Sequence, residues 1–218
     1  MTLYTKYHPR DWSGVCGQDK PVATIRGLLH RGASGRVFWI TANAGQGKTT
    51  IASLIAGDAS TPWAIETLDA QDVTLDSLRE YAQRLRCRAI DGSLHVLIVN
   101  EAHTLRRAVV DYLKTLVESD EFQRNGLLVC TTTIAEQAQR SLFDENESGR
   151  PFLSRAHQIT LNHGPELELA FAMTARSAAQ VENLDGRPLT DYVTLVRDCD
   201  CNLRMVYQKI EEGVMFDQ

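Results

Sequence analysis

Two glycines, Gly45 and Gly47, precede Lys48-Thr49-Thr50 at the point where the apolar run Val37 to Ile40 gives way to Ile51-Ala52. The chemistry this spacing serves is phosphate binding. Glycines let the backbone curl until successive N–H groups point at phosphate oxygens, and the helix that follows adds the partial positive charge of its N-terminus. On this pattern Lys48 reaches the β- and γ-phosphates and the Thr49 hydroxyl sits on Mg²⁺. The usual pattern opens with glycine where this chain has Ala42. Alanine does not tolerate a positive φ, so the sequence predicts a loop that is distorted or turned differently.

A carboxylate stands at a second strand end. The run Leu94 to Val99 has the apolar character of a strand covered on both faces, and it delivers Asn100-Glu101-Ala102-His103 to its C-terminal end. In open α/β sheets ligands gather at that edge, so Glu101 should lie near the phosphates, where an ionised carboxylate can orient and polarise water. His103, a lone histidine with no ligand partners at metal spacing, reads as structural rather than metal-binding. Arg79, Arg84, Arg86 and Arg88, with Arg106 and Arg107, could meet DNA phosphates, or could be a solvated helix face.

These residues need a scaffold, and the chain of 218 residues, 43% hydrophobic, is long enough to bury one large domain and a small one. No apolar run approaches the ~20 residues of a membrane span and the N-terminus has no signal-like apolar core, so a cytoplasmic protein is expected. A net charge of −5 argues against a chain coated in nucleic acid. The five cysteines are odd in number and lack a repeated C-x-x-C, and Cys199 and Cys201 are expected to be reduced thiols.

In order, Pro21 should begin a helix stopped by Gly32, and the helix after the phosphate loop should end near Gly57. Strands are expected at Val37 to Ile40, Trp63 to Leu68, Leu94 to Val99, Leu127 to Thr131 and Gln158 to Leu161, and helices at Leu75 to Arg88 and Leu105 to Glu118. The stretch 136–151 reads as a mobile polar loop. After Asn162-His163-Gly164-Pro165 only helical patterns remain, which divides the chain into a core of residues 1–162 and a helical unit of residues 163–218.

The set Lys6-Tyr7-His8-Pro9, Gly45-Gln46-Gly47-Lys48-Thr49-Thr50, Val99-Asn100-Glu101-Ala102-His103, Ser154-Arg155-Ala156 and Asn202-Leu203-Arg204 resembles AAA+ ATPases of the clamp-loader group. The group comprises the DNA polymerase III γ/τ and δ′ subunits and the replication factor C small subunits. The resemblance implies an α/β P-loop fold, a five-stranded parallel sheet flanked by helices with a small all-helical lid. It implies ATP and Mg²⁺ as cofactors and an oligomer of neighbouring AAA+ subunits, of one kind or several, directed at DNA. By the same resemblance Ala44, Gly45, Gln46, Gly47, Lys48, Thr49 and Thr50 cradle phosphate, and Thr49 and Asn100 face the metal. Glu101 activates water, Thr132 senses the γ-phosphate, Arg204 is a second sensor, and Tyr7 and Val15 flank adenine. Arg155 is the finger that reaches a neighbouring subunit's ATP.

Three departures carry consequences. Ala42 replaces a glycine, Asn100 replaces the magnesium-side aspartate, and the sequence ends at Gln218 where the group continues into a helical collar. Asn100 keeps an acceptor but loses a charge, so slow hydrolysis is expected. From the residue types, Arg155 could also be an ordinary surface arginine, Arg204 a partner for a nearby acid, Thr132 a plain strand-end hydroxyl, and Tyr7 and Val15 core. Two functions follow: an ATPase that switches conformation in a DNA-directed assembly, or an interaction subunit that holds ATP and hardly turns it over.

Overall fold

The computed structural model describes residues 1–133 and 149–216. The polar loop expected at 136–151 therefore lies outside the described residues as far as residue 148.

Five parallel strands make one sheet: β1 (Arg36–Ala42), β2 (Ile65–Asp69), β3 (His95–Asn100), β4 (Gly126–Thr133) and β5 (His157–Thr160), in the order β2-β3-β4-β1-β5. Alternation of side chains along each strand feeds two separate cores, because both faces are covered. On one face Val37, Trp39, Leu97, Val99, Leu128 and Cys130 pack with Leu78, Tyr81, Leu113 and Phe122. These last four come from α4 (Leu75–Arg84), α5 (Arg107–Glu118) and α6 (Asp120–Asn125). Phe152 of α7 (Gly149–Leu153) closes that side against Trp39. On the other face Phe38, Ile40, Val96, Ile98, Leu127 and Val129 meet Ile25 of α2 (Asp19–His30) and Ile51 and Ile55 of α3 (Lys48–Ala59).

Downstream of β5 the chain forms α8 (Pro165–Val181), α9 (Leu189–Asp198) and α10 (Leu203–Glu211), which share a third cluster around Phe171, Tyr192, Val206 and Tyr207. Leu3 of the short α1 (Leu3–Lys6) is buried in this cluster, and Tyr4 and Tyr7 pack on it. The Leu3 amide donates to Glu211 at 2.6 Å, and Lys6 Nζ and Tyr7 Oη each donate to Glu182 at 2.6 Å. The N-terminal arm is thus tied to the last helices, 208 residues away in sequence at Glu211.

Several boundaries differ from the sequence-based expectation, each for a local reason. Gly57 does not end α3, which runs on to Ala59; a single helical glycine costs only about 1 kcal/mol against alanine, less than the packing of Ile51 and Ile55 supplies. Residues Pro62–Ala64 form a 3₁₀ turn, so β2 begins at Ile65 rather than Trp63. Helix α4 stops at Arg84, leaving Arg86 and Arg88 beyond it. Helix α6, not expected from the sequence, is capped by the Ser119 hydroxyl, which accepts from the Phe122 amide at 3.3 Å.

Candidate functional site

At the C-terminal edge of the sheet β1 runs into the glycine turn and α3 leads away from it. Ala42 stays in the β1 ladder opposite Thr133 and has no positive φ. The distortion expected at Ala42 does not arise: the strand conformation suits alanine, and the left-handed positions fall on Gly45 (φ 75°) and Gly47 (φ 92°). A Cβ on Gly47 would meet nothing within 4 Å, so the space in front of the helix N-terminus is open. No side chain caps α3. Its first amides are left for an external acceptor, which at this end of a helix is an anion's role.

Lys48 is 7% exposed, and its Nζ donates to the carbonyls of Ala42 (3.1 Å) and Asn43 (3.0 Å). Burial pushes its pKa below the ordinary lysine value, while Glu101 pulls the other way. Gln46, buried, accepts the Asn43 amide at 3.1 Å and fixes the turn. Thr49 is exposed at the mouth of the loop, whereas Thr50 turns inward, 3.4 Å from His8 Nε2.

The exit of β3 faces this loop. Glu101 adopts a left-handed backbone (φ 50°, ψ 42°), a conformation costing a non-glycine residue roughly 1–2 kcal/mol. Three consecutive threonines at the end of β4 each address a residue of that exit. The Thr131 hydroxyl donates to Asn100 Oδ1 (3.2 Å), Thr132 Oγ1 lies 3.1 Å from His103 Nδ1, and Thr133 donates to Glu101 (3.0 Å). His103 Nδ1 is also 3.5 Å from Glu101. Thr132, expected as the phosphate sensor, is 3% exposed and faces His103; the threonine brought to the Glu101 carboxylate is Thr133. Strand alternation, which turns neighbouring hydroxyls to opposite faces, is the signal that separates them.

A cleft of about 350 Å³ joins these parts to the helical cluster. Tyr7, Val15, Ala44, Gly45, Gln46, Gly47, Lys48, Thr49, Thr50, Asn100, Glu101 and Arg204 all line it. Thr132 and Arg155 do not. Sequence reasoning misses Asp69, Phe171, Asn202 and Tyr207, which also line it. Asn202 caps α10 and packs on the glycine turn so closely that a Cβ on Gly45 would lie 2.0 Å from its Oδ1. Arg204 lies over the Tyr4 ring, 4.6 Å from its centroid.

The cleft fits a nucleoside triphosphate with magnesium. Its volume is in the range of nucleotide-sized ligands, its phosphate end is the uncapped α3 terminus with Lys48, and its other end is apolar. There the buried Tyr207 hydroxyl has no hydrogen-bond partner among the described residues. Thr49 would reach the metal; among the described residues no group of three side chains could hold a metal ion alone. Phosphate oxygens would complete its shell, as is usual for Mg²⁺ with nucleotides.

Arg155 is exposed, its Nε donating at 2.6 Å to Glu118, the last residue of α5. Of the arginines weighed as DNA contacts, Arg79 pairs with Asp76 (2.7 Å), Arg84 with Glu66, and Arg107 with Asp111 (3.9 Å). Among the described residues no helix is long and apolar enough to cross a membrane.

Residues 39–151 match the family described as "ATPase family associated with various cellular activities (AAA)". Comparison with curated protein sequences gave no match. Among solved structures the chain is similar to two variants of RuvB from Thermotoga maritima, each with a TM-score of 0.68 and 18% identity over 94% of this chain and 64% of theirs. It is also similar to the Thermotoga maritima structure described as the RuvB Holliday junction branch migration motor (TM-score 0.60, 18% identity, 97% of this chain, 74% of that one). These similarities correct the clamp-loader resemblance: the fold that this chain shares with the solved structures is that of RuvB. At such identity the likeness is one of fold. This chain spans 64% of the length of the first two RuvB chains.

Proposed function

Because the chain belongs to the AAA family of ATPases, we propose that it binds ATP with Mg²⁺ in the cleft between the sheet edge and the helical lid and hydrolyses it. The observation that carries this reading is the meeting of Lys48, Thr49, Glu101 and Arg204 around one 350 Å³ cleft. Cations that surround the γ-phosphate stabilise the charge of a loose phosphoryl-transfer transition state, and Lys48 and Arg204 would share that work. Magnesium, when bound, neutralises the β- and γ-oxygens. Glu101, held at Thr133, would orient the attacking water.

Residues 163–218 act as a lid in this proposal. Contact between Asn202 and Gly45 couples lid position to the phosphate loop, so nucleotide state changes the angle between lid and core. Arg155 lines no part of its own cleft and is exposed, which suits a finger working on a neighbouring copy or a related subunit. RuvB of known structure is described as a branch migration motor on Holliday junctions. By analogy we assign this chain to an oligomeric ATPase that acts on DNA, with the exposed Arg86 and Arg106 as the first candidates for phosphate contact.

The test is phosphate release by the purified chain with and without a branched or primed DNA, beside equilibrium binding of ATP. Turnover that rises with DNA supports the proposal. The second reading, an ATP-holding subunit, is favoured by one observation: Asn100 lacks the charge of a metal-side aspartate and its Oδ1 already accepts from Thr131. Tight ATP binding with negligible turnover, with or without DNA, would favour it.

A further inference from the structure

The β3 exit raises a charge question. A magnesium ion held with nucleotide is usually bound by one or two protein carboxylates besides phosphate and water. Here Asn100 stands at the end of β3 where the motif would put an aspartate. Its amide oxygen, the acceptor that could hold a metal-bound water, accepts instead from Thr131 at 3.2 Å. Glu101, the next residue, is held at Thr133 and would be occupied with water.

The neighbouring strand ends in a carboxylate. β2 runs parallel to β3 with Asp69 in register with Asn100, and the Ala70 amide donates to the Asn100 carbonyl at 2.9 Å, so the two strand ends are fixed side by side. Asp69 lines the same cleft as Lys48, Thr49, Asn100 and Glu101. Among the described residues that line it, Asp69 and Glu101 are the carboxylates. Asp69 is exposed, and among the described residues no hydrogen bond or ion pair engages its side chain. Sequence distance hides this residue, since Asp69 and Asn100 are brought together only by strand pairing.

We propose that Asp69 supplies the negative charge facing the magnesium of bound nucleotide, the charge that Asn100 lacks, from the adjacent strand end. The inference rests on the nucleotide-binding reading above. Because Mg²⁺ dehydrates reluctantly and keeps several of its waters, a carboxylate one strand further out acts through those waters rather than by direct ligation. Such outer partners are worth a factor of about 10–100 in metal affinity. Asp69 is therefore a positioning residue for the metal and not a catalytic one.

The experiment is titration of the full chain with a fluorescent ATP analogue, in EDTA and at stepped MgCl₂ concentrations. The parent chain should bind more tightly as Mg²⁺ is added. Asp69→Asn should bind as the parent does in EDTA and need about 10-fold or more additional Mg²⁺ to reach the same tightening. The exchange variant, Asp69→Asn with Asn100→Asp, should recover the parent's Mg²⁺ dependence, which a merely structural role for Asp69 would not produce. An Asp69→Asn chain with the parent's Mg²⁺ dependence overturns the proposal. Should Asp69→Asn lose binding in EDTA, Asp69→Glu carries the test: retained Mg²⁺ tightening supports the role of charge, and its loss overturns it. If the parent chain binds no analogue under either condition, the nucleotide reading itself fails and this inference falls with it.

Discussion

The Thr133 hydroxyl lies 3.0 and 3.2 Å from the two oxygens of the Glu101 carboxylate, bridging the ends of β4 and β3. That contact fixes a carboxylate whose backbone is already in the left-handed region. We expect Thr133→Val to lower ATP turnover by roughly tenfold with little change in ATP affinity, against ~100-fold or more for Glu101→Gln. Thr132→Val should do less to turnover, since Thr132 meets His103. Steady-state phosphate release alongside binding titrations separates the two threonines; equal effects would mean that Thr133 does not position Glu101.

Lys48 gives a pH dependence with a definite sign. Its folded pKa lies below 10.5 because burial penalises the ammonium. In the nucleotide-free fold that penalty is present at pH below the folded pKa and is relieved as pH rises toward 10.5. Nucleotide reverses the preference, because phosphates favour the charged form. ATP affinity should therefore fall as pH rises through the lowered folded pKa toward 10.5, with proton uptake on binding in that window. A chain whose ATP affinity is flat across that window would remove Lys48 from the phosphate site.

Arg155 is the residue for which position within one chain says least. Its guanidinium pairs with Glu118 on the surface. Arg155→Ala should keep ATP binding and lose turnover, and mixing it with Lys48→Ala should restore part of the activity through a mixed interface. Absence of rescue in a mixture that demonstrably co-assembles would count against action in trans.

Tyr207 predicts a gain in stability on truncation. Its buried hydroxyl has no hydrogen-bond partner among the described residues, and an unsatisfied group of this kind costs about 1–3 kcal/mol, so Tyr207→Phe should raise the melting temperature of the nucleotide-free chain. Thermal melts report the change; a variant that melts lower would mean that the hydroxyl has a partner in the fold itself.

The parts of the site written in contiguous residues are legible in the sequence alone. Gly45 to Thr50 and Asn100-Glu101 each carry their meaning in local spacing, and the apolar runs around Phe38, Ile98 and Val129 announce a doubly covered parallel sheet. What is not legible depends on pairing across sequence. Asp69 joins Asn100 only through β2–β3 register, and the three threonines 131 to 133 separate only once β4 lies beside the β3 exit. The arm with Tyr4 and Tyr7 packs with α8 to α10 because Glu182 and Glu211 hold it there. The clamp-loader resemblance misleads for a related reason: it rests on short local motifs, whereas the likeness to RuvB is one of the whole fold.

The central claim is that Lys48 and the glycine turn hold the phosphates of ATP beneath the lid. Isothermal titration of the chain with ATP and magnesium, parent against Lys48→Ala, tests it most directly. The parent should bind stoichiometrically, and the variant should lose at least ~100-fold in affinity, about 2.7 kcal/mol, when the buried cation is removed. Binding of equal strength in both, with the variant folded, would contradict it.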